Sequence, residues 1–270
     1  MEEQLEQQVT RGLAPQSAPH YSAPKQYPFP TEVISLPSKG LCYPESHPLS
    51  KGEITIKLMT AKEEDILTNA NLIRQGTVID KLLQALIVTP IDYNELLIGD
   101  KNAVLVAARV LGYGKDYSFT YGNKEVSVDL STLEDKAIDE SLYTRGSNEF
   151  NFTFPHSGNN ITFKLLTHGD EQKIDAEIKG LQKVNPNSST DVTTRLKYMI
   201  TSIESKRDQK DIREFVDNYL IAKDARALRE YYSKIQPDVN LVYKPEDDSY
   251  VGEGIAIPIS LNFFWPDSGL

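Results

Sequence analysis

The chain has 270 residues, of which 39% are hydrophobic and 25% are charged, and this length is sufficient to bury one or two hydrophobic cores. Its 29 Lys and Arg face 39 Asp and Glu, so the formal net charge is −10, and this acidic balance argues against nucleic-acid binding as the main function. The single cysteine, Cys42, excludes a disulfide framework and a cysteine-based zinc site within one chain, and no apolar stretch reaches the roughly 18 residues of a membrane span.

The first segment, residues 1–30, is rich in proline and has no apolar period. Its five prolines are Pro15, Pro19, Pro24, Pro28 and Pro30. Too little apolar surface is present to offset the entropy of ordering, so we predict a flexible arm. In an alternative interpretation the arm folds against a partner, with Tyr21, Tyr27 and Phe29 as anchors. The acidic N-terminus is unlike a signal peptide, which indicates synthesis in a cytoplasm.

Residues 31–114 combine strand and helix signals. Apolar residues alternate with polar ones at 54–58, which predicts a strand. Thr60 and Glu63 then match a capping box, and we predict one helix that Gly76 ends.

Two further helices follow in this region. Thr77 begins the first, which Pro90 ends, and the second extends from about residue 101 to residue 111, before a Gly-Tyr-Gly break.

Period-two alternation replaces helical spacing in residues 115–168. The runs 117–121 and 126–130 flank a Gly-Asn turn and predict a hairpin. The runs 150–154 and 161–165 predict a second hairpin, with three Phe on its buried face.

Helical spacing returns in residues 169–236. The apolar positions predict four helices, which are centred on 174–181, 196–203, 212–220 and 228–235.

Residues 237–270 are predicted to form a C-terminal hairpin with a Phe-Phe-Trp-Pro tail. One strand is expected at 239–243 and the other at 255–263, where apolar residues alternate. We predict that the strand at 255–263 packs on the chain's own core and that Phe264, Trp265 and Pro266 lie at or near a surface that meets a partner. In the alternative interpretation the rings of Phe264 and Trp265 are core residues. Because strands and helices come in runs, the fold class is predicted as α+β, mainly helical, with antiparallel hairpins inserted and at the C-terminus.

The sequence contains no recognisable catalytic or ligand-binding motif. The four histidines, His20, His47, His156 and His168, have no metal-site spacing, and we interpret them as ordinary surface or loop residues. Phosphate loops, dinucleotide loops and nucleophile elbows are missing. We therefore predict no catalytic residue, no metal ligand and no cofactor.

Several motifs, considered together, resemble a known family. They are LPSKGLCYP at 36–44, MTAKEEDILT at 59–68, LIRQGTVIDKLL at 72–83, GDK at 99–101, AR at 108–109, GYG at 112–114, PI at 258–259 and NFFWP at 262–266. This combination resembles the baseplate hub subunit family of T-even-like contractile-tailed bacteriophages. The resemblance implies a non-enzymatic role in the virion or in its assembly, at the hub in the centre of the baseplate.

The chain departs from that family in one respect. Relatives of this kind often carry Cys-x-x-Cys pairs in β segments near positions 117–130 and 243–255, where this chain has no cysteine. Zinc binding is therefore not carried over, and we expect Tyr, Phe and Val packing to hold these hairpins instead.

Three functional hypotheses remain open. The first is a structural or assembly component of the baseplate hub, which contacts other tail or hub proteins and forms homo- or hetero-oligomers in the virion. The second is an assembly chaperone that shields another tail protein, such as the tape measure protein, in the host cytoplasm and is absent from the mature virion. The third is an enzyme, which requires two carboxylates converging in a pocket with a raised pKa. No nucleic-acid or membrane partner is expected.

The arm hypothesis predicts the order of proteolytic cleavage. Trypsin should remove residues 1–30 first and leave a resistant body, because an arm without a packed core stays accessible to the protease. Mass spectrometry of a digestion time course measures this order. An arm that survives as long as the body contradicts the prediction.

Overall fold

The computed structural model describes residues 29–186, 190–245, 254–259 and 261–264. The fold class is α+β, as predicted, and the described strands pair in antiparallel fashion. The elements before residue 115 are β1 (Thr31–Ser35), β2 (Glu53–Lys57), α1 (Ala61–Leu67), α2 (Ala70–Gln75), α3 (Val78–Leu86) and α4 (Ile98–Tyr113). The later elements are β3 (Asp116–Tyr121), β4 (Lys124–Asp129), β5 (Phe150–Thr153), β6 (Asn160–Phe163), α5 (His168–Val184), α6 (Asp191–Met199), β7 (Ile200–Ile203), α7 (Gln209–Asn218), α8 (Ala222–Ile235), β8 (Val242–Tyr243), β9 (Ile255–Ala256) and α9 (Leu261–Phe264).

The predicted helix over 60–76 begins as expected but is two helices. The Thr60 N–H and hydroxyl donate to the Glu63 carboxylate at 3.0 and 2.6 Å, which confirms the capping contact. The helix breaks after α1 because the Asn69 side chain accepts from two amides of the next turn and begins α2. Gly76, at φ 69°, ends α2 as predicted.

The two predicted helices that follow have different bounds in the structure. Helix α3 ends at Leu86, before Pro90, because Ile87 forms a bridge with Ile56 of β2. Helix α4 begins at Ile98, earlier than expected, and packs against α3, β1, β2 and α9. It is the element around which the two ends of the described chain are arranged.

Both predicted hairpins form, and one of them gains a strand. Strands β3 and β4 pair across the Gly-Asn turn, and β5 pairs with β6. We predicted that the helix over 196–203 continues through Ile203, which is wrong. Helix α6 ends at Met199, and Ile200–Ile203 is β7, which pairs with the free edge of β6. Three of its four residues are β-branched, which favours a strand once an edge is available.

The other predicted helices of the 169–236 region are confirmed as α5, α7 and α8. Their apolar faces bury Ile174, Ile212 and Leu228, whereas Leu181, which we expected on the buried face of α5, is exposed. The C-terminal third of α5 therefore extends beyond the core.

The C-terminal segment is less regular than the predicted hairpin. Strands β8 and β9 pair over only two residues each, and the expected strand over 255–263 is wrong beyond Ala256. Pro258 has no amide to donate to a ladder, and Leu261–Phe264 is one helical turn. A helical turn places both Phe263 and Phe264 in the core, which strand alternation does not allow.

One hydrophobic core joins all of these segments. Its buried residues come from the N-terminal region, both hairpins, the later helices and the C-terminal turn, for example Leu49, Phe119, Phe163, Leu228 and Phe264. The predicted segments are therefore parts of a single packed unit over the described residues.

Candidate functional site

The C-terminal end of α4 holds a buried arginine. The Arg109 Nε donates to the Phe263 carbonyl at 2.6 Å, and its two terminal nitrogens donate to the carbonyls of Gly114 at 2.5 Å and Asp116 at 2.9 Å. The planar guanidinium presents donors in several directions at once, which suits three separate carbonyls. Burial lowers the pKa of Arg109, but a guanidinium stays charged in proteins.

The aromatic residues at the C-terminal end of the described chain are buried, and Arg109 bonds to the backbone of one of them, Phe263. Phe264 is 0% exposed, so the expectation that it lies on a partner-binding surface is wrong. Phe263 is also buried, and its ring meets the Tyr117 ring edge-on at 4.9 Å. These rings are core residues because the helical turn directs them inward. Trp265 and Pro266, the other predicted tail anchors, lie outside the described residues.

The N-terminal anchor is at the surface. Phe29 is 63% exposed, and the Lys57 ammonium lies 5.5 Å from the centre of its ring. The Leu58 N–H donates to the Pro30 carbonyl at 3.0 Å and fixes this segment beside β2. Phe29 is therefore accessible to a partner, as the anchor hypothesis requires. Tyr21 and Tyr27, the other predicted arm anchors, lie outside the described residues.

A second buried polar cluster joins the start of α4 to the turn after β1. The Asp100 carboxylate accepts from the Ser38 N–H at 3.0 Å, from the Ser38 hydroxyl at 2.7 Å and from the Tyr43 hydroxyl at 2.7 Å. The Tyr43 oxygen in turn accepts from the Leu97 N–H at 3.0 Å. Burial raises the pKa of Asp100 to about 6. Because Asp100 is completely buried, its raised pKa reflects its position in the protein interior and does not mark a group that faces a pocket.

The glycine before Asp100 is required by a close backbone approach. A Cβ atom on Gly99 would lie 1.8 Å from the Pro237 carbonyl oxygen. Any larger residue would push the segment after α8 away from the start of α4. Gly99 and Asp100 thus hold two distant segments at the start of α4: the segment after α8 and the turn after β1.

His168 is part of a third cluster, which is partly buried and joins α3, α4 and α5. The Lys101 ammonium lies 2.6 Å from the Asp80 carboxylate and 3.3 Å from Nδ1 of His168. The His168 ring packs against the Tyr93 ring at 4.5 Å. Burial and the Lys101 charge lower the pKa of His168, which keeps the ring neutral. Our interpretation of His168 as a surface or loop residue is wrong, because it begins α5 and is buried.

A cleft of about 720 Å³ lies beside these clusters. Two acid–base pairs line it, with Nε2 of His47 3.1 Å from Glu95 and Lys164 2.7 Å from Asp170, and Asp92 and Lys173 line it as well. Cys42 also lines the cleft, and burial raises the pKa of its thiol to about 12. At neutral pH this group is the thiol, whereas a nucleophilic cysteine is the thiolate.

The described part of the chain has neither a metal-site cluster nor a transmembrane helix. No cluster of three or more His, Cys, Asp or Glu residues there has the arrangement of a metal site. None of the described helices has the length and hydrophobicity of a transmembrane segment.

Comparison with family models, curated proteins and solved structures finds no significant match to this chain.

Sequence reasoning missed all three clusters. Their members were visible as motif residues, since Ser38, Asp100 and Arg109 all lie in the segments that carry the family resemblance. Their roles were not visible, because each cluster needs at least one partner from a distant segment: Phe263 for Arg109, Ser38 for Asp100 and His168 for Lys101.

Replacing Tyr43 with Phe should destabilise the protein by roughly 1–3 kcal/mol, because the Leu97 N–H and the Asp100 carboxylate each lose a buried partner. The folded state holds the Asp100 proton more tightly than the unfolded chain. This carboxyl therefore adds stability below about pH 4, and that stability is lost as the pH rises through about 6. Without the Tyr43 donor the carboxylate form is less favourable still, so the substitution should cost more at pH 8 than at pH 5.

Urea denaturation of both proteins at the two pH values measures this difference. Tyr121→Phe is the matched control, because Tyr121 is exposed, and it should leave stability nearly unchanged. An equal loss for Tyr43→Phe at both pH values contradicts the assignment of the pH effect to Asp100.

Replacing Arg109 with Lys should destabilise the protein by roughly 2–4 kcal/mol, because one ammonium cannot reach three carbonyls placed around a planar fork. Thermal unfolding monitored by circular dichroism measures the loss. Arg226→Lys is the control, since Arg226 forms an exposed pair with Glu230, and it should unfold like the unsubstituted protein. If both substitutions have the same small effect, the Arg109 contacts are not important for stability.

Proposed function

We propose that this chain is a non-enzymatic structural or assembly component of the baseplate hub of a contractile phage tail, and that it acts through contacts with other tail proteins. The observation that carries the proposal is a set of hydrogen bonds between the motifs that resemble the family. Arg109 of the AR motif bonds to Phe263 of the NFFWP motif, 154 residues away. Ser38 of the LPSKG motif bonds to Asp100 of the GDK motif, 62 residues away.

These hydrogen bonds between motifs support the view that the resemblance is more than a set of unrelated short similarities. Motifs that match a family by chance have no reason to be hydrogen-bond partners of one another. Here the motif residues depend on each other, because each buried charge requires the donors or acceptors that another motif supplies. The motif residues of this chain are thus joined by contacts that hold one fold together.

The same contacts support a role without catalysis. In the GDK motif, Gly99 permits a close backbone approach, Asp100 binds Ser38 and Tyr43, and Lys101 pairs with Asp80. Each of these residues is explained by an internal contact, and none is needed for chemistry on a substrate. The surfaces left for function are those that meet other proteins, including the exposed Phe29.

The expected partners are other baseplate hub proteins, and the expected location is the tail baseplate of the virion. The alternative function is an assembly chaperone that binds the tape measure protein in the host cytoplasm, and the experiment below distinguishes the two.

Quantitative mass spectrometry of fractions from cells infected by the phage that encodes this chain tests the proposal. Purified tails and unassembled intermediates are separated by sedimentation, and a chain with a C-terminal tag is followed beside known tail proteins. We expect a fixed ratio of this chain to baseplate proteins in finished tails. Presence only in unassembled complexes with a tail protein indicates the chaperone function. Co-sedimentation with no tail protein in any fraction contradicts both.

A further inference from the structure

The outer edge of strand β1 is unpaired in the part of the chain that the structure describes. Strand β1 pairs with β2 alone, in a two-stranded antiparallel sheet. Four of its five residues are exposed, namely Thr31, Glu32, Val33 and Ser35, so no described segment covers this edge. A row of unpaired backbone N–H and C=O groups is a template on which a further strand can form.

The hydrogen bonds of the β1–β2 pair identify the groups on the free edge. The Pro30 carbonyl accepts from the Leu58 N–H at 3.0 Å, and the Leu36 N–H donates to the Gly52 carbonyl at 2.8 Å. In an antiparallel pair, residues that bond to the neighbouring strand alternate with residues that do not. The even-numbered residues therefore bond to β2, and the odd-numbered residues of 29–35 direct their N–H and C=O groups to the free edge.

The solvent-facing side of β1 carries two exposed apolar residues. Successive side chains of a strand point to opposite faces, and the buried Ile54 and Ile56 show that the even-numbered face of the pair is the core face. Phe29 and Val33 belong to the other face, and they are 63% and 55% exposed. Lys57 is on the same face, and its ammonium lies over the Phe29 ring.

This edge is complementary to a second copy of itself. When two copies of β1 pair antiparallel around a two-fold axis at Thr31, Thr31 lies opposite Thr31. Phe29 of each copy then lies opposite Val33 of the other copy, and both apolar side chains lose contact with water. Thr–Thr pairs and pairs of an aromatic with a β-branched residue are among the stabilising cross-strand pairs of antiparallel sheets.

The position of the one charged residue on this edge also favours an axis at Thr31. The chain has a net charge of −10, so two copies associate most readily where few like charges meet. With the axis at Thr31, Glu32 lies opposite Pro30 of the other copy. An axis at Glu32 would place two carboxylates opposite each other, and an axis at Val33 would leave Phe29 beyond the paired strands.

We propose that two copies of this chain pair through their β1 edges, antiparallel around a two-fold axis at Thr31, and so form a four-stranded sheet of order β2–β1–β1–β2. The contact is isologous, because both copies use the same edge, and it therefore closes at a dimer. The proposal is independent of the phage assignment, because it depends only on the exposure, the hydrogen-bond pattern and the side chains of β1.

Disulfide trapping tests the proposed register. Thr31→Cys places two thiols opposite each other at the axis, where the Cα atoms are about 5.5 Å apart, within the range that a disulfide spans. Val33→Cys is the matched control on the same face of the same strand. Its two copies lie about 13 Å apart along the pair. On non-reducing gels we expect a covalent dimer from Thr31→Cys and none from Val33→Cys. The unsubstituted chain should give none, because Cys42 is buried.

Sedimentation velocity of the full-length chain over a concentration series tests the dimer itself. The unsubstituted chain should show a monomer–dimer equilibrium. Thr31→Glu places two carboxylates opposite each other at the axis and should weaken association roughly tenfold or more. Within one copy the new carboxylate lies opposite Lys57, so the fold should be retained. Ser118→Glu is the matched control: Ser118 is exposed on β3, opposite Ser127, and its replacement should leave association unchanged.

Three outcomes would overturn the proposal. If the unsubstituted chain stays monomeric at every concentration, the edge is left for a strand of another protein. A covalent dimer from Val33→Cys without one from Thr31→Cys means that the axis lies elsewhere on the strand. Equal weakening by Thr31→Glu and Ser118→Glu means that the copies associate through a different surface.

Discussion

The C-terminal end of the described fold depends on the hydrogen bonds of the buried Arg109 guanidinium. Moving a guanidinium out of water costs several kcal/mol unless its donors are satisfied. Here the acceptors are three backbone carbonyls, which belong to the end of α4, the start of β3 and the terminal helix α9. None of these three segments can move away without leaving a buried charge short of a partner. The cation therefore makes them a single cooperative unit.

Helix α4 carries a buried charge of the appropriate sign near each end. Asp100 lies in its first turn, and Arg109 lies near its last turn. An acid near the N-terminus and a base near the C-terminus both interact favourably with the helix dipole. The first fixes the turn after β1, and the second fixes the C-terminal segment. The central helix thus organises the N-terminal and C-terminal parts of the chain through electrostatics as well as through apolar packing.

Local sequence patterns were sufficient to predict the secondary structure of elements that bury one face. They were insufficient where contacts with distant segments determine whether a run is a helix or a strand, or whether a side chain is buried. The alternation at 117–130 and the stripes of α7 and α8 predicted their elements correctly. The run Ile200–Ile203 is short and apolar, so its period is ambiguous, and the free edge of β6 decides that it is a strand. In the candidate site, Phe29 is exposed as expected. Phe264 is not, because its position depends on Arg109, which is 155 residues earlier in the chain.

The separation between Arg109 and Phe263 has a consequence for synthesis. A ribosome adding roughly 5–20 residues per second needs roughly 8–30 s to make the 154 residues between them. During that time α4 has already emerged, while the Phe263 carbonyl that accepts from Arg109 does not yet exist. The nascent chain therefore has an incompletely paired Arg109 side chain and lacks the Phe263 ring that packs on Tyr117 until residue 263 has been translated. This end of the fold can therefore close only after residue 263 has been made, and a chain cut short before that residue leaves the Arg109 Nε without its carbonyl acceptor.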